Sequence, residues 1–138
     1  MTWKEKMKEF GGGDFTFISE DGETLTFIIV GDPVLLQAKF KGNENERVGC
    51  PVMTDDGYQL FVTGKRLARK LSKFESKFKT NALMVTRHGE AGDINATYTV
   101  TVILEVETFN RLKALVKKDM TKIMIADSIE AVKEVLDN

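Results

Sequence analysis

Between Asp14 and Val62 apolar residues recur with a period of two and are interrupted at short intervals by turn-forming residues, which commits the first half of the chain to strands. Phe15 and Phe17 precede Asp21-Gly22, and Leu25, Phe27 and Ile29 follow on one side of a strand, the signature of a hairpin. Asp32-Pro33 breaks the run. Val34 to Lys41 resumes it before the polar loop from Gly42 to Glu46, a strand from about Arg47 to Met53, the turn Asp55-Asp56-Gly57 and a strand from Tyr58 to Val62.

At Thr63 the period becomes helical. Thr63 is placed as an N-cap, and Leu67, Leu71, Phe74 and Phe78 form one stripe ending near Asn81. Ala82 to Thr86 and Ala96 to Val106 read as two more strands, with Tyr98, Val100, Val102 and Leu104 on one face of the second and the loop Arg87 to Asp93 between them. Helices follow at Glu107 to Lys118 and Ser128 to Leu136; the apolar run from Lys122 to Ala126 is either a strand or part of this helical tail. Upstream, Trp3, Met7 and Phe10 suit a short helix ended by three glycines, Gly11 to Gly13.

Consecutive strands separated by turns rather than crossover helices predict a mainly β fold with added helices. A helix between the third and fourth strands specifies the OB arrangement, a five-stranded antiparallel barrel, once one hairpin counts as a long bent first strand and its extension. The expected organisation is an N-terminal arm over 1–13, an OB-fold nucleic-acid-binding domain over 14–106, and a C-terminal helical extension over 107–138 that packs on the domain or on a partner.

With 138 residues, 42% of them hydrophobic, the chain has the length of one domain and core-forming material enough to need no disulfides. Cys50 and His88 are the lone representatives of their types, too few for a zinc site. Cys50 in an apolar strand reads as a small buried hydrophobe, and Pro51 beside it predicts an edge position or a bulge. No P-loop, dinucleotide fingerprint or nucleophile elbow is present. His88 with Glu90 or Asp93 is the only general-base arrangement to weigh, and a solvent-exposed loop histidine is the simpler reading. The carboxylates of Glu20-Asp21 and Asp55-Asp56 adjoin turn glycines and read as turn chemistry rather than magnesium ligands. The expectation is a protein that is not an enzyme and carries no cofactor or metal. No apolar run is long enough to span a bilayer, and the charged start of the sequence does not suit a signal peptide, so a cytoplasmic location is expected.

The formal net charge is -1, but residues 36–88 carry eleven Lys and Arg against five acids, between flanks of net -4 and -3. A basic centre suits a polyanion, because cations that neutralise phosphates release condensed counterions. Single-stranded nucleic acid is held by such a surface together with aromatic faces on which bases stack. Lys39, Lys41, Arg47 and Arg87, on strands or loop edges, are the candidate phosphate contacts, with Lys65 at the start of the basic helix, a helix that as a whole reads more simply as a solvated face. Tyr58 and Tyr98 are the candidate stacking residues, because a phenol tolerates water; Phe27, Phe40 and Phe61 are assigned to the core.

The segment from Tyr58 to Val100 resembles a family of bacteriophage and mobile-element single-stranded DNA-binding proteins with an OB fold. The resemblance rests on TGKRLARKLSKF, on ALMVTRHG and on RHGEAGDINATYTV, in which Arg87, Gly89, Asp93, Thr97, Tyr98 and Val100 occupy the pattern; the spacing from Asp93 to Thr97 departs from its plainer form. It implies sequence-tolerant binding of single-stranded DNA by a non-enzymatic accessory to replication or recombination, with proteins of those processes as partners. The alternative is a non-enzymatic interaction or assembly module whose helices at both ends form a dimer interface. The acidic but periodic tail, with Ile129, Val132 and Leu136, is expected to pack rather than to hang free as a recruiting tail.

Overall fold

The computed structural model describes residues 15–40, 43–119 and 122–137, apart from the side chains of 38–40, 43–45, 117–119, 122–123 and 134–137. The readings of Trp3, Met7, Phe10, the glycine triplet, Lys41 and the side chains of Lys39 and Phe40 lie outside the described residues.

Among the described residues seven strands and three α-helices follow one another: β1 (Phe15–Thr16), β2 (Thr24–Ile29), β3 (Val34–Phe40), β4 (Asn43–Thr54), β5 (Gly57–Thr63), α1 (Lys65–Ser72), β6 (Ala82–His88), β7 (Thr97–Ile103), α2 (Val106–Asp119) and α3 (Lys122–Asp137). They form a mixed α/β structure around a single sheet of order β1-β5-β4-β2-β6-β7, with β3 paired to β4. β2 occupies two ladders. Its first four residues pair with Leu83–Thr86 of β6 and its last two with Val52 and Met53 of β4. The chain then turns at Gly31 to Pro33 and β3 continues along β4, from Val34 opposite Gly49 to Phe40 opposite Asn43.

This sheet is open. Its path ends at β1 and β7, so strand pairing does not close the five-stranded barrel expected from the element order. β1 is only two residues long, parallel to β5, and β7 pairs with β6 alone. On the far side of β7 the Tyr98 carbonyl accepts from Lys70 Nζ of α1 at 2.6 Å instead of from another strand.

The anticipated hairpin across Asp21-Gly22 is also replaced. β1 joins β5, not β2, because Glu23 Oε1 accepts the backbone N–H groups of Ser19 and Glu20 at 3.1 and 3.2 Å and removes them from any ladder. The turn itself docks on β6 through Gly22 N–H to the Arg87 carbonyl and Arg87 N–H to the Glu23 carbonyl. Other boundaries move for equally local reasons. The Thr63 hydroxyl donates to the Gly64 carbonyl, so Gly64 rather than Thr63 stands at the N-cap of α1. The helix stops at Ser72, and a short 3₁₀ turn at Glu75–Lys77 brings Phe74 and Phe78 onto the core. The polar stretch from Asn43 to Glu46, expected as loop, is strand paired with β3, and Lys122 to Ala126 is helical.

Pro51 is not on an edge. It sits in β4 between two neighbours, opposite the β2–β3 break, where its missing N–H has no ladder partner to lose. Its carbonyl accepts from Val30 N–H at 3.0 Å, and a Cβ on Gly31 would come within 3.1 Å of the Pro51 ring, so the break and the proline fit each other.

Both faces of the sheet are covered. Phe27, Val52, Phe61, Leu83 and Val85 pack with Leu67 and Leu71 of α1 in one core, where the Phe27 and Phe61 rings lie 5.6 Å apart. On the opposite face Ile28, Met53, Tyr58 and Ala82 meet Leu112 of α2, and Leu36, Leu60 and Val62 meet Val132 of α3. The C-terminal helices thus pack on the sheet as the periodicity predicts. No helix among the described residues is long and apolar enough to cross a membrane.

Cys50 is buried in the first core, and burial pushes its thiol up from 9.0 to about 11, partly offset by a hydrogen bond with Thr63. The neutral thiol is therefore favoured in the folded protein, and stability falls as pH rises from about 9 towards 11, where the unfolded thiol loses its proton first. Alkylation by iodoacetamide near pH 8 is expected to be at least tenfold slower in native buffer than in urea; equal rates would place the thiol at the surface.

Candidate nucleic-acid interface

The open seam between β1–β5 and β7 is a cleft of about 670 Å³. One wall is the segment after β1, Phe17 to Ser19. The other is the β6–β7 loop with Ile94 and Tyr98; between them the lining includes buried Phe61, Val62 and Leu67 and the exposed side chains of Arg47 from β4 and Arg66 from α1.

Arg87 builds the second wall rather than facing a ligand. It is only 8% exposed. Nε donates to the Gly89 carbonyl at 3.0 Å, one terminal nitrogen to the Tyr98 hydroxyl at 2.8 Å and the other to the Glu90 carbonyl at 2.8 Å. Its guanidinium carbon also lies 5.7 Å from the Tyr98 ring centroid. Tyr98 is half-buried against the first core, so its ring anchors β7 and its hydroxyl is spent on Arg87. The pair expected to contact phosphate and base is foremost a latch on the loop.

The loop is closed by further bonds. Asp93 N–H donates to the Glu90 carbonyl, Ala96 N–H to the Asp93 carbonyl, and Asn95 N–H to Asp93 Oδ1. Gly89 adopts φ 136°, and a Cβ there would stand 2.8 Å from that of Ala96, so only glycine permits this exit from β6. Its N–H donates to Asp21 Oδ1 at 2.9 Å, tying the two walls together. At the loop's outer side Ile94 is 93% exposed; across the cleft Phe17 is 40% exposed and packs edge-on to Phe15 at 5.7 Å.

The remaining expected contacts separate. Arg47 is exposed in the cleft, with one guanidinium nitrogen on the Glu46 carbonyl. Lys65 points away from the cleft, ion-paired with Glu46 at 3.1 Å. β3 carries Lys39 opposite Glu44 by register. Tyr58 departs furthest from expectation. It is 4% exposed beneath the C-terminal helices, with its hydroxyl 2.8 Å from Ser128 Oγ, and burial raises its pKa above the ordinary value despite that bond. It cannot stack on a base from there.

Arg66, Phe17 and Ile94 escaped the sequence reading. For Ile94 a signal existed, a single large aliphatic residue within the polar loop from Gly89 to Asn95; Phe17 and Arg66 carry none that separates them from core and solvated neighbours. The other reactive groups are committed. Asp55 accepts both Nε and a terminal nitrogen of Arg111 at 2.8 and 3.2 Å, fastening the β4–β5 turn to α2, and His88 Nε2 lies 2.7 Å from the Thr99 hydroxyl. Comparison with protein-family models, with curated proteins and with solved structures finds no match to this chain.

Proposed function

We propose that this chain binds single-stranded DNA without sequence preference, as a non-enzymatic accessory to replication or recombination in the cytoplasm, and that its sheet is an OB-type barrel whose unpaired seam is the binding cleft. The carrying observation is the cleft's composition: Arg47 and Arg66 line it, exposed and without an ion pair among the described residues, and Phe17 and Ile94 stand exposed on its two walls. Free cations pair with phosphates and exposed apolar side chains meet base faces, a combination that favours an unpaired strand over a duplex. The two-ladder course of β2 supports the barrel reading, since it makes one bent strand neighbour both β4 and β6. The resemblance of Tyr58 to Val100 to phage single-stranded DNA-binding proteins supports the same function.

Fluorescence anisotropy with an oligothymidine of about thirty nucleotides, at several salt concentrations, tests it. Salt-sensitive binding that duplex DNA does not compete is expected, and RNA as competitor reads the sugar preference. In R47A/R66A the slope of log affinity against log salt should fall by about 1.4, about 0.7 per lost phosphate contact on a single strand. A slope near zero in the unaltered protein removes the phosphate mechanism.

A protein-interaction module is the second reading, favoured by a separate groove of about 980 Å³ between α1, the β2–β3 turn and α2. Its floor includes Val48, Phe78 and Val116, its rim Arg69, Lys79 and Lys113, and Leu35 beside it is exposed, a composition suited to an acidic amphipathic segment of a partner. Absence of DNA binding at low salt together with a defined hetero-complex would put this reading first.

A further inference from the structure

We infer that Ile94 is a wedge that inserts between neighbouring bases of the bound strand and holds them apart; the inference rests on the single-stranded DNA reading of the cleft. Ile94 is 93% exposed and stands at the cleft, on the outer side of its loop. The frame is unusually complete for so short a loop: Arg87 holds the carbonyls of Gly89 and Glu90, and Asp93 holds the N–H groups of Asn95 and Ala96 through its carboxylate and its carbonyl. A tip fixed in advance loses little conformational freedom on binding, which is the condition under which one apolar side chain contributes most.

Shape decides between stacking and insertion. Isoleucine has no flat face, so it does not continue a base stack as an aromatic ring does; apolar side chains of its kind enter between base steps and part them. Arg47 and Arg66 line the same cleft and supply cations for the phosphates on either side of the step, and Phe17 on the facing wall offers an aromatic ring to a base displaced from it. The bound strand is then unstacked locally at each subunit, and strands of well-stacked purines bind more weakly than oligothymidine because their stacking must first be broken.

The test uses the full chain and a deoxyadenylate oligonucleotide of about twenty nucleotides carrying several interior 2-aminopurines, whose emission is quenched while they are stacked. Saturation with the unaltered protein should raise the emission several-fold. I94S should leave the thermal melt and the salt slope unchanged, reduce affinity several-fold and lose most of the rise, whereas I94L should retain it. An equal rise with I94S, or quenching with the unaltered protein, overturns the wedge while leaving single-strand binding intact. Failure of the unaltered protein to bind oligothymidine at low salt overturns the DNA reading, and the wedge with it.

Discussion

Removal of residues 127–138 is expected to destabilise the fold by about 5 kcal/mol, a third or more of the roughly 5–15 kcal/mol that holds an ordinary domain together. Val132 and Ser128 are fully buried in the native structure, and without them Leu36, Leu60 and Tyr58 lose their cover. These residues belong to β3 and β5, so the damage falls on the sheet itself and not on a peripheral appendage. Urea unfolding followed by tryptophan-independent circular dichroism measures it. Tyr58→Phe calibrates the experiment: it removes only the bond to Ser128, whose hydroxyl still donates to the Ile125 carbonyl at 2.7 Å, and should cost about 1 kcal/mol. A truncated chain within about 1 kcal/mol of the full one would mean that α3 merely rests on the sheet.

The same packing explains why Tyr58 was misread. Sequence parity places Tyr58 and Phe61 on opposite faces of β5, and assigning Phe61 to the core and Tyr58 to the surface assumes a sheet covered on one side. Here α1 covers one face and α2 with α3 the other, so both residues are buried. The apolar periodicity of the C-terminal helices was legible, but the face of the sheet they would cover was not, because that depends on long-range docking rather than on spacing. β4 and β5 were found because alternation and Asp55-Asp56-Gly57 agree, and the interior position of Phe27 follows from the same alternation. The partner of β1 was not legible: the side chain of Glu23 redirects the turn, and no periodicity reports such a bond.

Of the cations read from the sequence as phosphate contacts, Arg47 and Arg87 line the cleft. Lys65 does not, since adjacent residues at the start of a helix project about 100° apart and it is Arg66 that reaches the cleft. Residue type misled for the tyrosines as well. A phenol's tolerance of water made Tyr58 and Tyr98 the natural stacking candidates, yet the same hydroxyls let them be buried with a partner, Ser128 for one and Arg87 for the other. Among the described residues of the cleft, the side chains of Ile94 and Arg66 have no hydrogen bond or ion pair within the protein, and Phe17 is 40% exposed beside Phe15.

Arg87 brings the two levels together, and its substitution separates a structural cation from a ligand contact. Arg87→Ala is expected to lower the unfolding free energy by about 3 kcal/mol, because it removes three hydrogen bonds in a half-buried setting, leaving the Gly89 carbonyl and the Tyr98 hydroxyl without this donor and the Glu90 carbonyl with Asp93 N–H alone. Arg87→Lys should recover little of this, since an ammonium cannot reproduce a planar fork that reaches three acceptors at once. Amide hydrogen exchange in residues 89–96 should accelerate in both variants well before global unfolding, as the loop loses its inner frame. DNA affinity should fall as well, through the displaced wall, but in Arg87→Lys the salt slope should match that of the unaltered protein. A phosphate contact would give the opposite pattern: native stability and loop protection for Arg87→Ala, with a slope lower by about 0.7. The three hydrogen bonds inside the protein leave the guanidinium committed before any phosphate arrives, and on that ground the structural outcome is the expected one.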